Sequence, residues 1–556
     1  MRARLGSLLL VVALLVPAAT REPVHARKAM VVTAEPNATR VGVDVLKSGG
    51  NAVDAAVAVG LTLAVTHPWA GNIGGGGFML IRFADGRATF IDFRERAPQS
   101  ATRDMYLDAA GNPTDESIVG YRASGVPGTV RGLGMALEKY GSKKWRDLVK
   151  PAQQLAEVGF PLPYSLAQEI ADSGRLPLFE DSKRIFLKGG KPPQYDDILR
   201  QRDLADTLAR LAKQGPDEFY TGRTAELIAG DMKRNGGLIT LADLRDYKPV
   251  EREPLRGAYR GYEILSAPPP SSGGVGVIQM LNMLEPTNFA AAGPESAASI
   301  HHIAEAMRRF FADRAAYFGD TDFIQMPTAK LLDRDYARSR YADFDPVHAS
   351  TSTAVGPGLG PWRESYETTH FSIVDEMGNA VAVTYTLNGL FGSGVTIAGT
   401  GILMNNEMDD FTAKVGEPNM YGVLQSPANG IEPGKRPLSA MTPTIVVRDG
   451  KPFLVTGAPG GPTIISTVLQ NIVNVIDFGM DAQAAADAPR FHHQWMPDEL
   501  RMESEGFSPD TVRLLEAMGH RVRLGSYMGR AMNILATEDG WTGAADSRSD
   551  GLAAGY

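Results

Sequence analysis

The chain of 556 residues contains no cysteine. Disulfides, thiolate-bound zinc and thiol catalysis are therefore excluded. Positive charge is in deficit as well, since the formal net charge is −8. Nucleic acid and anionic membrane surfaces select basic patches, so neither is an expected partner. No internal repeat or low-complexity tract is present. Long hydrophobic runs are missing beyond the start of the chain, where Leu5 to Val16 follow Arg2 and Arg4 and precede small residues. That run is about 12 residues, short of the roughly 20 that span a bilayer. The pattern predicts a secretory signal peptide over residues 1–18, cut after Ala18 or Ala19, and a periplasmic or secreted protein. Metal-ligand spacing is lacking too. His301-His302 and His492-His493 are adjacent pairs, and neighbouring helical residues point in different directions. The acidic stretch "MNNEMDDF" (404–411) does not have EF-hand spacing. "GNIGGGGFML" (71–80) lacks the Gly-Lys-Ser/Thr of a phosphate loop and leads into a strand, so its glycines are read as close backbone packing. No cofactor is called for.

What is present is an ordinary globular composition, 43% hydrophobic and 22% charged. The length implies two intimately packed parts or one large domain with insertions. "NATRVGVDVLKSGGNAVDAAVAVGLTLAV" predicts two helices joined at Gly49-Gly50, the second capped by Asn51. Phe78–Phe83 and Ala88–Phe93 read as a hairpin turning at Asp85-Gly86. The stretch from about 120 to 345 reads as mostly helical. Residues 348–366 are rich in Gly, Pro, Ser and Thr and read as an exposed, mobile segment that ends at Glu367-Thr368. Strands are expected in "TPTIVVRD" and "KPFLVTGA", and a helix from about Thr463 to Asp477. Strands at both ends with helices between them point to a sheet sandwich covered by helices.

A hairpin with its tip at Met377 sets Thr368 opposite Thr386, within the slip allowed by the turn type. Strand alternation then places Thr384, Thr386 and Asn388 on one face. A polar cluster there is either a solvated strand face, the commoner case for threonine, or a catalytic group. A threonine hydroxyl needs a base, and an N-terminal threonine carries its own in its α-amine. That demands a chain break, which a Gly/Pro-rich segment before Thr368 would accommodate. In "LVTGAPGGPTIISTV" a strand runs through Gly460-Gly461 into a helix. This suits either a tight turn or an oxyanion hole at a helix N-terminus.

The ordered set "GGNAVDAAVA", "GGGGFML", "DFRERAP", "SGVPGTVRG", "PPPSSGG", "ETTH", "AVAVTYTLN", "NNEMDDF", "KRPLSAMTPT", "TGAPGGP" and "APRFHHQW" resembles the γ-glutamyltranspeptidase family of N-terminal-nucleophile hydrolases, nearest to its bacterial periplasmic members. The resemblance covers nearly the whole chain. It implies an α+β fold, a four-layer αββα sandwich formed by two fragments of one self-cleaved precursor. The large subunit would be residues 19–367 and the small catalytic subunit 368–556, paired as a heterodimer. It implies cleavage at Glu367–Thr368, Thr368 as nucleophile and Thr386 as its orienting partner. Arg94 and Ser439 would take the substrate α-carboxylate, and Asn388, Glu407 and Asp410 its α-amino group. Gly460 and Gly461 would form the oxyanion hole, with Tyr421 in a lid. Substrates would be glutathione and other γ-glutamyl compounds, and the acyl acceptors water, amino acids or dipeptides. Relatives commonly read Ser-Ser where this chain has Ser439-Ala440, and bacterial relatives often have Gln in place of Glu407. The rival readings are a glutaryl or cephalosporin acylase of the same family and a catalytically inactive periplasmic γ-glutamyl-binding protein.

Overall fold

The computed structural model describes residues 21–358, 369–414, 420 and 426–556. The signal segment 1–18, the junction Glu367-Thr368 and Tyr421 lie outside the described residues. The fold mixes helices with two seven-stranded sheets.

The first sheet runs in the order Leu552–Gly555, Met30–Thr33, Thr369–Val374, Ala380–Thr386, Gly76–Arg82, Ala88–Asp92, Val250–Arg252. All its pairs are antiparallel. Its central strands are buried on both faces, and the period of two shows which way each side chain points. Met30, Val32, Phe78, Leu80, Phe90, Val374, Ala380 and Ala382 enter one apolar cluster. Their alternates Val31, Met79, Ile81, Ile91, Phe371, Ile373, Val381 and Val383 enter another, together with the helices of the first half of the chain. The second sheet runs Val24–Ala26, Gly540–Ala545, Met532–Thr537, Lys451–Thr456, Thr444–Arg448, Tyr262–Ser266, Leu255–Tyr259. Its Ile264, Ile445, Leu454 and Ile534 share the first cluster, which joins the two sheets.

The helix Ala52–Thr66 starts as the sequence requires. The Asn51 side chain accepts from the Asp54 N–H, and the Asp54 carboxylate accepts from the Asn51 N–H at 2.8 Å, a reciprocal cap. The other predicted helix and strand pairs appear at Pro36–Lys47, Gly76–Arg82 with Ala88–Asp92, Thr444–Arg448 with Lys451–Thr456, and Pro462–Ile476.

One expectation is borne out with an addition and one is corrected. The stretch read as mostly helical is so, and it also contains the strands Val250–Arg252, Leu255–Tyr259 and Tyr262–Ser266, which edge both sheets. The hairpin signal lies at Arg260-Gly261, where both residues have positive φ (50° and 86°). The segment before the junction is also not free as far as it is described. Ser352 and Val355 are buried. The Ser352 N–H donates to Asp498 at 2.7 Å, the Trp495 indole donates to the carbonyls of Ser352 and Val355, and the Gly358 N–H donates to Asp313. Small polar residues here are docked against charged partners far away in sequence, which composition does not reveal.

Candidate active site

The predicted hairpin register is realised. Thr369 pairs with Tyr385 and His370 with Thr384, the alignment that a tip at Met377 requires. On its other side Thr386 pairs with Gly76. The neighbouring glycines are obligatory for this approach, because a Cβ on Gly75 would overlap the carbonyl oxygen of Thr386. His370 is fully buried between sheets, with Nδ1 2.8 Å from the Thr384 hydroxyl and Nε2 3.1 Å from the Ser372 hydroxyl. Burial lowers its pKa to about 3, so it stands as a neutral imidazole.

The strand ends at Thr386, and the alternation expected to carry on to Asn388 stops there. Asn388 instead turns into the left-handed region at φ 71°. Its N–H donates to the Thr386 hydroxyl at 2.7 Å. The Asn388 amide nitrogen donates to the Asn406 carbonyl, while its Oδ1 is buried without a hydrogen-bond partner. An unpaired buried acceptor is costly and suits an ammonium ligand.

Arg94 follows the strand Ala88–Asp92 and is almost wholly buried. Its N–H donates to Asp92 at 3.0 Å, and its carbonyl accepts from the Tyr247 hydroxyl at 2.9 Å. Its guanidinium lies 2.6 Å from Glu407 and 3.6 Å from Glu95, and it pairs with Asp410. It also donates to the carbonyls of Pro437 and Leu438, which places Ser439 next to it in the chain. Burial works against the Arg94 cation, but Glu407, Asp410 and Glu95 outweigh it and raise its pKa. Burial also pushes the Glu95 and Glu407 carboxyls up, against the pull of Arg94, and the crowding of like charges adds to the rise.

Glu407 and Asp410 stand on one tight helical turn, Glu407–Asp410. The two preceding asparagines fix it. Asn405 donates to the carbonyls of Gly74 and Gly125, and its Oδ1 accepts from the Glu407 N–H. Asn406 accepts from the Gly389 N–H. Ser439 is held by the "PPPSSGG" loop: its carbonyl accepts from the N–H and hydroxyl of Ser272, and its Oγ accepts from the Met441 N–H.

Gly460 and Gly461 (φ 126° and 59°) lead into the helix Pro462–Ile476. Neither N–H has an acceptor among the described residues. The same loop starts against the hairpin, since a Cβ on Gly457 would overlap the His370 ring. The structure thus brings Arg94, Glu407, Asp410, Asn388, Thr386 and Ser439 into one connected group, with Gly460-Gly461 at the end of a loop that abuts the same hairpin.

Sequence reasoning passed over Glu95, a third acid against Arg94, although it stands in "DFRERAP". It also missed a grouping of His301, Glu305 and His520, whose side-chain nitrogens and oxygens lie within 4.8 Å of one another. Two of those residues have i, i+4 spacing, but the third is more than 200 positions away, and only the adjacent histidine pairs drew attention. The histidines face each other at 2.8 Å, a hydrogen-bond distance, and Glu305 is taken up by Arg308 and Arg309. These bonds account for the cluster structurally.

A cationic guanidinium among carboxylates offers both signs of charge, the chemistry that an amino-acid zwitterion complements. With the Thr386 strand end in the same group, and the Gly460 and Gly461 N–H groups without an acceptor among the described residues on a loop that abuts the hairpin, the arrangement has the parts that acyl-transferring enzymes use. The comparisons agree. The sequence model of the family described as Gamma-glutamyltranspeptidase matches residues 38–556. A glutathione hydrolase proenzyme of Escherichia coli (strain K12) is 54% identical over 540 residues, covering 96% of this chain and 93% of that protein. The crystal structure of a cephalosporin acylase from Bacillus halodurans has a TM-score of 0.86 at 27% identity, covering 97% of this chain and 98% of its own. That of the Helicobacter pylori gamma-glutamyltranspeptidase has a TM-score of 0.59 at 44% identity, over 62% of this chain and 98% of its own. The chain belongs to the gamma-glutamyltranspeptidase family.

Proposed function

We propose that the protein is a γ-glutamyltransferase and glutathione hydrolase, maturing by self-cleavage at Glu367–Thr368 into subunits 19–367 and 368–556. The observation that carries this reading is the buried Arg94 set among Glu407, Asp410 and Glu95. A γ-glutamyl group ends in a carboxylate and an ammonium. The carboxylate replaces the acids at Arg94, with Ser439 beside it. The ammonium takes Glu407, Asp410 and the unpaired Oδ1 of Asn388.

Thr368 then attacks the γ-carbonyl, its own α-amine taking the hydroxyl proton and Thr386 orienting the hydroxyl. The free N–H groups of Gly460 and Gly461 stabilise the oxyanion, and the expelled amine leaves with the proton. Water, an amino acid or a dipeptide resolves the γ-glutamyl ester, under a lid that includes Tyr421. The two sheets joined by one apolar cluster, with helices against them, support the four-layer αββα arrangement. Among the described residues no helix is long and apolar enough to cross a membrane. The N-terminal pattern of residues 1–18 supports a periplasmic or secreted location.

The likeness to a cephalosporin acylase favours glutaryl-type substrates as a second reading. A glutaryl group has no ammonium, however, and would leave the pocket acids without a counter-ion. The test is hydrolysis of a γ-glutamyl anilide against its glutaryl counterpart. A preference for γ-glutamyl is expected. Equal or reversed preference would overturn the assignment.

A further inference from the structure

A cavity of about 400 Å³ opens beside the glycine loop, and its described lining includes Gly460, Trp69, Glu169 and Arg530 but neither Arg94 nor Asp410. A γ-carbonyl held at Gly460 has two substituents. The glutamyl chain goes to Arg94, so this cavity faces the other substituent, the amine side. The Gly529 backbone is what makes it adjacent, because a Cβ on Gly460 would stand 3.3 Å from the Gly529 nitrogen. Arg530 is the next residue.

Arg530 is a positioned cation. Its guanidinium lies over the Trp69 ring at 4.8 Å from the centroid. Trp69 is itself fixed, its indole N–H donating to His67 Nδ1 at 2.9 Å and its carbonyl accepting from the Phe391 N–H. His67 can accept because burial and the nearby Arg530 lower its pKa to about 3 and keep it neutral. Arg530 has no carboxylate within ion-pair range among the described residues, although Glu169 lines the same cavity. Arg548, in the same lining, is already paired with Glu503 and Asp546. A half-buried arginine held on an aromatic plate, within electrostatic reach of Glu169 but in no ion pair among the described residues, is suited to a ligand carboxylate.

We infer that Arg530 recognises the carboxylate of the acyl acceptor, and of the peptide leaving group, so that this cavity selects amino acids and short peptides with a free C-terminus. The inference rests on the acyl-transfer reading above. In the step it serves, the acceptor's neutral amine nitrogen bonds to the γ-carbonyl carbon. The ester bond from that carbon to the threonine oxygen breaks, and the amine's proton passes to that oxygen. A dipeptide spans about 7 Å, enough to join a reacting amine near Gly460 to a carboxylate at the neighbouring loop.

The test measures transfer from a γ-glutamyl anilide to glycylglycine and to glycylglycine amide, in the wild type, Arg530→Gln and Arg530→Lys. The ratio of the two acceptors is internal to each variant and does not depend on how much active protein folds. The wild type is expected to favour glycylglycine, with the preference falling about tenfold in Arg530→Gln, chiefly through the acceptor KM. Arg530→Lys is expected to keep part of the preference, retaining charge without the planar fork. The same acceptor ratio in the wild type and Arg530→Gln, or no wild-type preference for the carboxylate, overturns the inference. A wild type that releases the anilide but has no such ratio leaves the acyl-transfer reading standing. A wild type that never accepts the γ-glutamyl donor overturns that reading instead.

Discussion

Replacing Asp410 by asparagine removes one charge and keeps the shape of the side chain. Asp410 pairs with Arg94, and Glu407 lies 2.6 Å from the same guanidinium. Arg94 therefore keeps a close counter-ion in the variant and has little cause to move. The loss falls on the substrate ammonium, which gives up one of two carboxylate partners. A charge-assisted bond in a buried pocket contributes about 1.5–3 kcal/mol, or roughly tenfold to a hundredfold in kcat/KM. Asp410 keeps some solvent contact, its side chain being 14% exposed, and Glu407 remains, so the lower half of that range is expected. The assay is steady-state hydrolysis of paired γ-glutamyl and glutaryl anilides. Asp410→Asn is expected to lower γ-glutamyl turnover by at least tenfold and to raise the relative preference for glutaryl. Adding Glu407→Gln separates the two carboxylates, and a non-additive loss is expected because both act on one ammonium. An equal fall for both substrate classes would refute the reasoning and make Asp410 a support for Arg94 alone.

Three further outcomes are expected. Gly75→Ala forces a Cβ into the Thr386 carbonyl. It should cost about 3 kcal/mol or more, read as a lowered Tm with loss of activity. Thr386→Val removes the acceptor of the Asn388 N–H and leaves that donor buried, at a cost of about 1–3 kcal/mol. Turnover should fall further than the Tm shift explains, while Thr386→Ser should recover much of it. Stability should also decline in mild acid. His67, His370 and His520 have folded pKa values near 3, below the ordinary value of 6.5, so the unfolded chain binds more protons between those limits. Stability from these residues is complete above about pH 6.5 and is lost as pH falls toward 3, by about 2 kcal/mol per buried imidazole at pH 5. Chemical denaturation at pH 7.5 and pH 5 measures it, and equal midpoints would count against neutral burial.

What could be read from the sequence was whatever depends on local pattern. The symmetry about Met377 gave the register that pairs Thr369 with Tyr385, because a short turn leaves a hairpin little freedom to slip. Asn51 was legible as a cap because its partner Asp54 is three residues away. The roles of Arg94 and Ser439 emerged only through resemblance, since no spacing rule links Arg94 to Glu407 more than 300 positions later. The contacts that misled were also long-range. Ser352 looks like linker and is fastened by Asp498 and Trp495, and the Leu255–Ser266 hairpin is hidden among helices. Arg530 gave no sequence signal at all, because its meaning lies in the nearness of Gly529 to Gly460.

The account turns on Thr368 becoming a chain terminus. Intact mass measurement of the purified protein under denaturing conditions, for the wild type and Thr368→Ala, tests this most directly. The account predicts two wild-type fragments, the smaller beginning at Thr368 and gaining a γ-glutamyl mass when trapped with donor, and a single uncut chain in Thr368→Ala. A wild-type chain that hydrolyses γ-glutamyl donors while remaining one uncut polypeptide would contradict it.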